Sequence, residues 1–505
     1  MENQLDSEEL IPKGYWVVCP QCQGHGRKRR RPSGKARRNY QNALKHFERI
    51  KNAGSEVTPV PEPTPPQGHI DFCLECHGTG LDRSPTPPFT DKENYPHIAI
   101  IGGGIGGVAL AVACLHRGVP FTLYERDSGF NARSQGYGLT LQQASKAIQG
   151  LGISSLVKGI VSTRHVVHKT DGKIIGEWGV RKWVPGDDIA APKRTNVHIA
   201  RQALRSELLE QLGEHDSLKW SHQLVDFKEN DDPDSNDVRG VTLTLQVNGE
   251  LKTAQADLLV GADGIRSSVR RLLIGEDATP LQYLGCIVIL GICPLADLDG
   301  LENTLLDSAT VFQTANGHER IYMMPYDEDS VMWQLSFPMP EEEAKALSEQ
   351  GSQALKDEAI RRCQWHEPIP QILAATQAQQ VSGYPVYDRA LLTPELLQKS
   401  DYVTLLGDAA HPMSPFKGQG ANQALLDALA LARGIAKGCR PRSGWREQGI
   451  RESCLTDFEK EMLERSAAKV KDSAEAAAFL HSDTVLYEGD EPRGRCIRRK
   501  RAEES

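Results

Sequence analysis

The 505-residue chain lacks several features that mark whole classes of protein. Its first ten residues, MENQLDSEEL, are acidic and contain no apolar core of the kind that a secretory signal needs. The chain has no excess of basic residues: it contains 59 Lys and Arg and 67 Asp and Glu. The resulting net charge of −8 does not favour nucleic acid as the main partner. The composition excludes collagenous, coiled-coil and wholly disordered chains. We therefore expect a globular, cytoplasmic protein of about three domains in a reducing compartment.

Only one uncharged apolar stretch approaches the length of a membrane span. Residues 98–115, IAIIGGGIGGVALAVACL, give eighteen residues, which is the lower edge of spanning length. The glycines at its centre and Glu125 shortly beyond it fit a strand–helix–strand unit better than a transmembrane helix. We therefore expect no transmembrane segment.

The N-terminal region has little that could form a core. Residues 13–51 contain twelve Lys and Arg but one acid, Glu48, and the proline-rich segments 59–66 and 84–89 are typical of extended spacers. The basic run 27–38 offers a contact for a protein or a nucleic acid, although a solvated charge run is the commoner structure. The region therefore predicts a small module with linkers.

This module contains two knuckles of the form CxxCxGxG, one beginning at Cys19 and one at Cys73. Their four thiols satisfy the tetrahedral geometry of Zn²⁺, and metal binding would supply the folding energy that a small core cannot. The predicted ligands are Cys19, Cys22, Cys73 and Cys76. The knuckles resemble those of the cysteine-rich domain of J-type co-chaperones. A redox dithiol or unligated thiols remain alternatives, and His25 and His77 are substitute ligands or spectators.

A glycine motif follows the apolar strand HIAII. Gly102 permits a tight turn, Gly104 lets the backbone approach a pyrophosphate, and Gly107 allows close packing of helix on sheet. Glu125 lies 23 residues after Gly102, at the end of the next strand, where it can accept hydrogen bonds from a ribose. The sequence therefore predicts a dinucleotide site, but this spacing does not distinguish FAD from NAD.

Two later segments place further acids at strand ends. LLVGADGIR positions Asp263 at the carboxyl edge of a sheet, where ligands of open α/β folds bind. The segment 401–427 repeats this pattern with Asp408, followed by a loop and a glycine-rich helix start. An extended ligand that contacts several strand ends of one sheet requires such polar residues at each of those ends.

These three motifs, GGGIGG with Glu125 and Arg126, GADG, and GDAAHPMSPFKGQGANQALLDA, occur in the order found in a known family. The chain resembles the single-component, class A FAD-dependent monooxygenases over residues 96–482. The third motif is similar to that of the branch containing tetracycline-inactivating monooxygenases. The N-terminal cysteine module departs from the usual family pattern.

The resemblance implies a role for each motif residue. Asp408 would bind the ribityl or pyrophosphate part of FAD, and Arg201 occupies the place of an arginine that contacts FAD; a surface helix arginine is the alternative for Arg201. Asp263 would support FAD and the passage of the nicotinamide donor. The predicted cofactor-binding set is Gly102, Gly104, Gly107, Glu125, Arg126, Arg201, Asp263, Asp408, Gly418, Gly420, Ala421 and Asn422.

The segment from Gly418 to Asn422 would present backbone N–H groups to the flavin. The implied activity uses NADPH or NADH and O2 to hydroxylate a hydrophobic or aromatic small molecule through a flavin hydroperoxide. No catalytic acid or base is predicted, because the cofactor performs most of this chemistry, and a structural role is favoured for His411. The pocket candidates on strands are Met323, Met324, Trp333 and Phe337.

The predicted architecture is α/β: a Rossmann-like FAD-binding domain interleaved with an antiparallel substrate sheet, plus the N-terminal zinc-type module. We expect the module and linker in residues 1–92. The FAD-binding domain takes residues 95–163, 194–280 and 391–438, the substrate domain 164–193 and 281–390, and a C-terminal helix with a basic tail 451–505.

Two other functions remain open from the sequence. The same fold supports a FAD-dependent oxidase or reductase that inserts no oxygen. In a third interpretation the N-terminal module is a zinc-dependent protein or RNA tether and the catalysis of the flavoprotein is secondary. There is no second GxGxxG unit, so a nicotinamide cofactor would bind transiently.

Overall fold

The computed structural model describes residues 14–52, 62–66, 68–132, 137–142, 145–179, 196–213, 215–230, 239–298 and 300–495. The chain divides into two units, 1–88, here called the knuckle unit, and 89–505, here called the body. The finer division of the body into interleaved domains stays a prediction.

The described part of the knuckle unit contains two antiparallel strand pairs and one helix. Strand Tyr15–Val18 pairs antiparallel with Leu81–Ser84, and strand Arg27–Arg29 pairs antiparallel with Ile70–Phe72. The helix spans Gly34–Asn52. Each CxxC pair lies in a turn next to these strands, so the strand pairings bring together two CxxC pairs that are 54 residues apart in the sequence.

A parallel five-stranded sheet lies at the centre of the body. The order of its strands in space is Leu218–Lys219, Phe121–Tyr124, Ile98–Ile101, Leu258–Gly261 and Val403–Leu405. The central strands are continuous apolar runs because both faces of a parallel sheet are covered. This sheet confirms the predicted strand–helix–strand unit, whose helix spans Ile105–Leu115.

Helices cover this sheet, and short helices connect its strands. Besides Ile105–Leu115, the longer ones in this part are Arg201–Leu212 and Gly420–Gly438. The shorter ones are Ser145–Gln149, Ser268–Ile274, Pro394–Leu397 and Trp445–Gln448. The helix at Ile105–Leu115 is buried almost completely, which explains why it looked like a membrane span in the sequence.

A seven-stranded sheet forms the second layer of the body. Its strands, in spatial order, are Ile174–Trp178, Arg164–Lys169, Thr310–Ala315, Arg320–Asp327, Ser330–Pro338, Leu281–Pro294 and Val381–Arg389. Two pieces of chain build it, as predicted, and most pairs are antiparallel. The two pieces meet in a parallel pair, Arg164–Lys169 with Thr310–Ala315, which the sequence did not indicate. Helices Glu341–Glu349, Ser352–Arg362 and Ile369–Ala375 pack on it.

Two three-stranded sheets complete the described body. One consists of His222–Asn230, Gly240–Val247 and Glu250–Ala256, and the other of Gly138–Leu141, Val197–Ala200 and Ile160–Val161. The C-terminal helix spans Thr456–Phe479 and a separate turn of 3-10 helix spans Asp483–Leu486. Within the described ranges, no helix combines the length and apolar character needed to cross a bilayer.

Candidate cofactor and substrate site

A cavity of about 770 Å³ extends from the loops at the carboxyl edge of the five-stranded sheet to one face of the seven-stranded sheet. Eight of the predicted cofactor residues line it: Gly104, Arg126, Arg201, Asp263, Asp408, Gly418, Gly420 and Ala421. Gly102, Gly107, Glu125 and Asn422 lie behind this wall and act on the residues that form it. The sequence motifs therefore converge on one site, although they lie up to three hundred residues apart.

Two helix N-termini open into this cavity without a capping side chain. Helix Ile105–Leu115 begins after Gly104, and helix Gly420–Gly438 begins after Gln419. The first backbone N–H groups of a helix have no partner within the helix and carry partial positive charge. Gly104, Ile105, Gly106, Gly420 and Ala421 all line the cavity, so both sets of N–H groups are available to an anionic or electron-rich ligand.

The fold requires glycine at two of the three motif positions but not at the third. Gly102 has φ +106°, and a Cβ there would lie 2.6 Å from the Ala262 carbonyl oxygen. A Cβ on Gly107 would lie 1.9 Å from the carbonyl oxygen of Gly102, so the fold itself requires glycine at both positions. A Cβ on Gly104 would meet no protein atom within 4 Å. The fold therefore does not require glycine at 104, and the open space beside it fits the predicted pyrophosphate.

Glu125 lies under the glycine loop rather than in the cavity wall. Its Oε2 accepts a hydrogen bond from the Gly103 amide at 2.6 Å, and its Oε1 accepts one from the Asp127 amide at 2.9 Å. A carboxylate has about four acceptor positions, so both oxygens keep capacity for a ribose. Binding of the ribose by Glu125 stays a prediction.

Arg205 holds the same loop and was missed in the sequence. Its Nε donates to the Gly103 carbonyl at 2.7 Å, and its guanidinium lies between the rings of Phe130 and Trp220. Burial lowers its pKa, and the nearby Glu125 carboxylate opposes that shift. Arg205 is one helical turn after Arg201, a spacing that could have indicated a shared face of the helix.

Asp408 and Arg201 both line the cavity and interact electrostatically. No described residue donates a hydrogen bond to the Asp408 carboxylate, which is open to the cavity. Burial within the body raises its pKa, while Arg201 and His411 oppose the shift. Burial also lowers the pKa of Arg201, which donates to the Tyr137 hydroxyl. A carboxylate without partners in a cavity fits the hydroxyl groups of a ribityl chain, and Arg201 is not a surface arginine.

Asp263 caps the start of a short helix, a role that the sequence did not suggest. Its carboxylate accepts hydrogen bonds from the Ser267 hydroxyl and from the amides of Ser268, at 2.7 Å, and Val269, at 3.3 Å. It therefore fastens the start of helix Ser268–Ile274. Burial raises its pKa, and these donors oppose the shift. Its predicted contacts to FAD and the nicotinamide donor stay predictions.

Asn422 does not line the cavity; its side chain joins three backbone groups behind it by hydrogen bonds. Its side-chain amide donates to the carbonyls of Thr140 at 2.8 Å and Gly418 at 2.7 Å, and its oxygen accepts from the Gln142 amide at 2.8 Å. The side chain is fully buried. Asn422 thus fixes the glycine loop against the strand Gly138–Leu141, and its side chain is directed away from a ligand.

His411 has a structural environment, as favoured from the sequence. Its Nε2 lies 2.7 Å from Asp427 Oδ2, which also accepts from the Gly407 amide, and Arg465 donates to Asp427 Oδ1 at 2.8 Å. Burial alone lowers the pKa of His411, but Asp427 outweighs it and the pKa is raised. Burial raises the pKa of Asp427, but His411 and Arg465 reverse this and it is lowered. The cluster supports the loop that carries Asp408.

Arg270, which follows the GADG motif, supports the same loop from the other side. Its guanidinium donates to the carbonyls of Ala409 and Ala410 at 3.0 and 3.1 Å, and its Nε donates to Thr279. It is almost completely buried. No sequence signal indicates this contact, because its partners are about 140 residues away along the chain.

The substrate-side wall corrects the predicted pocket residues. Met324 lines the cavity as expected, together with Tyr322, Met332 and Gln334. The prediction was wrong for Met323, Trp333 and Phe337, which are buried on the opposite face of the seven-stranded sheet. Because successive strand residues point to opposite faces, the even-numbered positions of these strands face the cavity and the odd-numbered ones pack against helices.

The four predicted metal ligands of the knuckle unit converge. All four sulfur atoms are buried and lie within 4.8 Å of one another. The Sγ atoms of Cys19 and Cys73 are 3.9 Å apart, and those of Cys22 and Cys76 are 3.6 Å apart. Tetrahedral Zn²⁺ with bonds of about 2.3 Å requires sulfur separations of about 3.8 Å. The amides of Gly26 and Gly80 each donate to a sulfur, as thiolates require, whereas His25 and His77 are exposed.

The body thus joins a parallel nucleotide-binding sheet, two open helix N-termini and a second sheet that closes the cavity, which is the arrangement of a flavoprotein monooxygenase. Residues 96–450 match the family described as FAD binding domain, and the chain belongs to that family. The predicted resemblance, the fold class and FAD as cofactor are therefore confirmed.

A curated relative agrees with this assignment. The chain is 29% identical over 366 residues to aurachin C monooxygenase/isomerase of Stigmatella aurantiaca, covering 72% of this chain and 86% of that protein. It also matches the chloroplastic zeaxanthin epoxidase of Solanum lycopersicum, of which it spans about half, 48% of the length. The chain is an FAD-dependent monooxygenase by family and relatives.

Solved structures share the fold. A variant of HpxO of Klebsiella pneumoniae, complexed with FAD, aligns with a TM-score of 0.61 at 20% identity, covering 77% of this chain and 91% of that one. The tetracycline destructase Tet(51) aligns with a TM-score of 0.54 at 19% identity, covering 76% and 92%. The expected likeness to the tetracycline-inactivating branch therefore holds at the level of the fold.

Proposed function

We propose that the chain uses NADPH or NADH to reduce its FAD and O2 to hydroxylate an aromatic or hydrophobic small molecule. The balanced reaction consumes substrate, O2, NAD(P)H and a proton, and yields hydroxylated substrate, NAD(P)⁺ and water. Bound FAD would supply the electron transfer and the activation of oxygen. The supporting observation is the cavity that joins the cofactor loops to a face of the seven-stranded sheet that carries Leu290, Met324 and Met332.

The chain's own residues bind, orient and exclude water in this proposal. The Gly104 loop would take the pyrophosphate, Asp408 the ribityl hydroxyls, and the start of helix Gly420–Gly438 the electron-rich edge of the flavin ring. Leu290, Met324 and Met332 would hold an aromatic ring, because they present apolar surface at the other end of the cavity.

The experiment combines a spectrum with product mass. Purified holoenzyme should show a flavin spectrum that bleaches with NADPH under anaerobic conditions and recovers in air. With a panel of aromatic compounds, at least one product should contain one more oxygen atom, labelled when the gas is ¹⁸O2. Hydrogen peroxide without labelled product from any member would favour an oxidase, and a protein that takes up no FAD would contradict the cofactor assignment.

We propose further that the knuckle unit binds one Zn²⁺ through Cys19, Cys22, Cys73 and Cys76. The separations of the sulfur atoms and the two amide donors support this ion. Metal analysis of the purified full chain should give one zinc per chain. A cytoplasmic location stays a prediction from the sequence, and no specific observation in the structure favours nucleic acid as a partner.

A further inference from the structure

Arg320 is a buried cation in the wall of the cavity. It lies on strand Arg320–Asp327, with 5% of its surface exposed. Its Nε donates to Gln313 Oε1 at 2.7 Å, and its guanidinium lies 4.9 Å from the centre of the Tyr322 ring. Burial lowers its pKa to about 10, so it stays charged at neutral pH.

This cation has no counter-ion in the described part of the chain. None of the ion pairs formed there involves Arg320, and the two terminal nitrogens of its guanidinium have no hydrogen-bond partner among the described residues. Burial of a charge without compensation is costly, so the unpaired nitrogens of a buried guanidinium in a cavity wall indicate a place for an anionic ligand. Other buried arginines of the body are satisfied within the protein. Arg389 pairs with Glu276, and Arg270 donates to two backbone carbonyls.

A second unpartnered donor belongs to the same wall. Gln334 lies opposite Tyr322 on the neighbouring strand, and 7% of its surface is exposed. Its amide Nε2 is buried without a hydrogen-bond partner among the described residues. Arg320 and Gln334 both line the cavity. Two unsatisfied donors on adjacent strands therefore lack an acceptor.

The distribution of charge in the cavity is uneven. Of the described side chains that line it, two carry carboxylates, Asp263 and Asp408, and both belong to loops of the five-stranded sheet. The cations Arg126, Arg201 and Arg266 lie on the same side as these carboxylates. The face of the seven-stranded sheet contributes the cation Arg320 and, among its described residues, no carboxylate. A neutral hydrocarbon would leave both donors of this face unsatisfied, which costs binding energy.

We propose that the substrate is an aromatic acid whose anionic oxygens are received by Arg320 and Gln334. A planar carboxylate matches the forked guanidinium and accepts from the amide as well. The aromatic part would lie against Leu290, Met324 and Met332 of the same cavity. This inference rests on the proposed function and names its substrate class.

Binding to the full-length holoenzyme tests it with probes matched in shape but not in charge. The pairs are benzoate with benzamide and 2-aminobenzoate with 2-aminobenzamide, titrated by the change in flavin absorbance. The acids should bind more tightly than the amides. Arg320→Met should weaken binding of the acids by about thirtyfold or more, because it removes a buried charged partner. It should change binding of the amides by no more than about twofold. Arg320→Lys should give an intermediate loss.

A control variant separates this effect from loss of charge in general. Arg164→Met removes an arginine from the same sheet, but Arg164 pairs with Glu177 at 2.8 Å and does not line the cavity. It should leave the binding of both probe series unchanged. Gln334→Glu places a carboxylate beside Arg320 and should weaken binding of the acid probes at least tenfold while the FAD content stays unchanged. This variant tests the anion site even if Arg320→Met does not fold.

Three results would overturn the inference: equal binding of acids and amides, acid binding that neither Arg320→Met nor Gln334→Glu changes, or loss of FAD from a folded Arg320→Met protein. Failure of the proposed function looks different. If acids bind in an Arg320-dependent manner but no aromatic compound gains oxygen, the anion site stands and the monooxygenase activity fails. If only neutral aromatics are oxygenated, the activity stands and the anion site fails.

Discussion

The knuckle unit and the body bury different kinds of side chain. In the described part of the knuckle unit, the buried apolar residues are the four cysteines and Leu81. The body buries continuous clusters of aliphatic and aromatic residues, the largest around the five-stranded sheet. Apolar burial therefore suffices to fold the body, whereas the knuckle unit needs another source of free energy. The proposed zinc would therefore take, in the knuckle unit, the place that hydrophobic packing has in the body.

The largest expected effect comes from removing the proposed metal. In Cys22→Ser, or after treatment of the full chain with a strong zinc chelator, the knuckle unit should unfold completely, because structural zinc contributes about 10–16 kcal/mol to folding of such units. The body should keep its FAD and its Tm. Zinc analysis, limited proteolysis and flavin absorbance measure this. Cys114→Ser, a buried thiol of the body, is the control and should leave zinc unchanged. Unchanged zinc in Cys22→Ser would remove Cys22 from the ligand set.

Two glycine variants sharpen the comparison within the body. Gly107→Val should destabilise the body by several kcal/mol and abolish FAD binding, because its Cβ would lie 1.9 Å from a backbone oxygen. Gly104→Val should preserve the fold and still lose FAD, because its side chain would fill space left for a ligand. Circular dichroism melting and flavin content separate the two. Stoichiometric FAD in Gly104→Val would refute the placement of the pyrophosphate. These outcomes would show that folding and FAD binding are separable in the body.

A smaller effect is expected at the carboxylates of the cavity. Asp408→Asn should weaken FAD binding about tenfold, because it removes a charged acceptor, and should not lower the Tm of the apoprotein. Asp263→Asn should instead lower the stability by about 1–2 kcal/mol, because its carboxylate fastens the start of a helix. FAD titration and thermal melting of both apoproteins provide the measurement. Equal loss of stability in the two variants would contradict the different roles assigned to them.

The sequence predicted those parts of the fold that depend on local pattern. The strand, glycine loop and helix at residues 98–115 form as expected, because apolar runs and glycine spacing are local properties. The cysteine cluster was also predictable, because four thiols in two knuckles have few other uses. The parallel pair that joins the two pieces of the seven-stranded sheet was not predictable, since strand alternation does not reveal a neighbour.

The remaining parts of the site depend on contacts between distant segments. Arg205 and Arg270 hold the cofactor loops through carbonyl groups more than one hundred residues away, and backbone acceptors leave no sequence signature. The sequence also could not predict which face of a strand lines the cavity. Met323 and Met324 point to opposite faces, and because both are apolar the pattern does not show which of them faces the cavity. Only the packing of helices on the sheet determines that Met324 faces the cavity.

The smallest effect concerns pH and again distinguishes the two units. The raised pKa of His411 means that its pair with Asp427 contributes fully below the pKa of an unfolded histidine, about 6.5, and that this contribution is lost as the pH rises through the folded value. The lowered pKa of Asp427 gives a contribution that is present above about pH 4 and lost only as the pH falls through its folded value. The Tm of the body should therefore fall by a few degrees as the pH rises above about 6.5.

His411→Gln should be less stable at pH 6.5 and should show a flatter Tm profile over this range, because glutamine keeps a hydrogen-bond donor but cannot titrate. Thermal melting across the pH series, followed by flavin fluorescence, reports on the body alone. The described residues of the knuckle unit contain no such buried histidine–carboxylate pair, since His25, His46, His69 and His77 are all exposed. Protection of that unit from proteolysis should therefore not follow the same curve. A profile of His411→Gln with the same slope as the wild type would show that another group causes the pH dependence of the body.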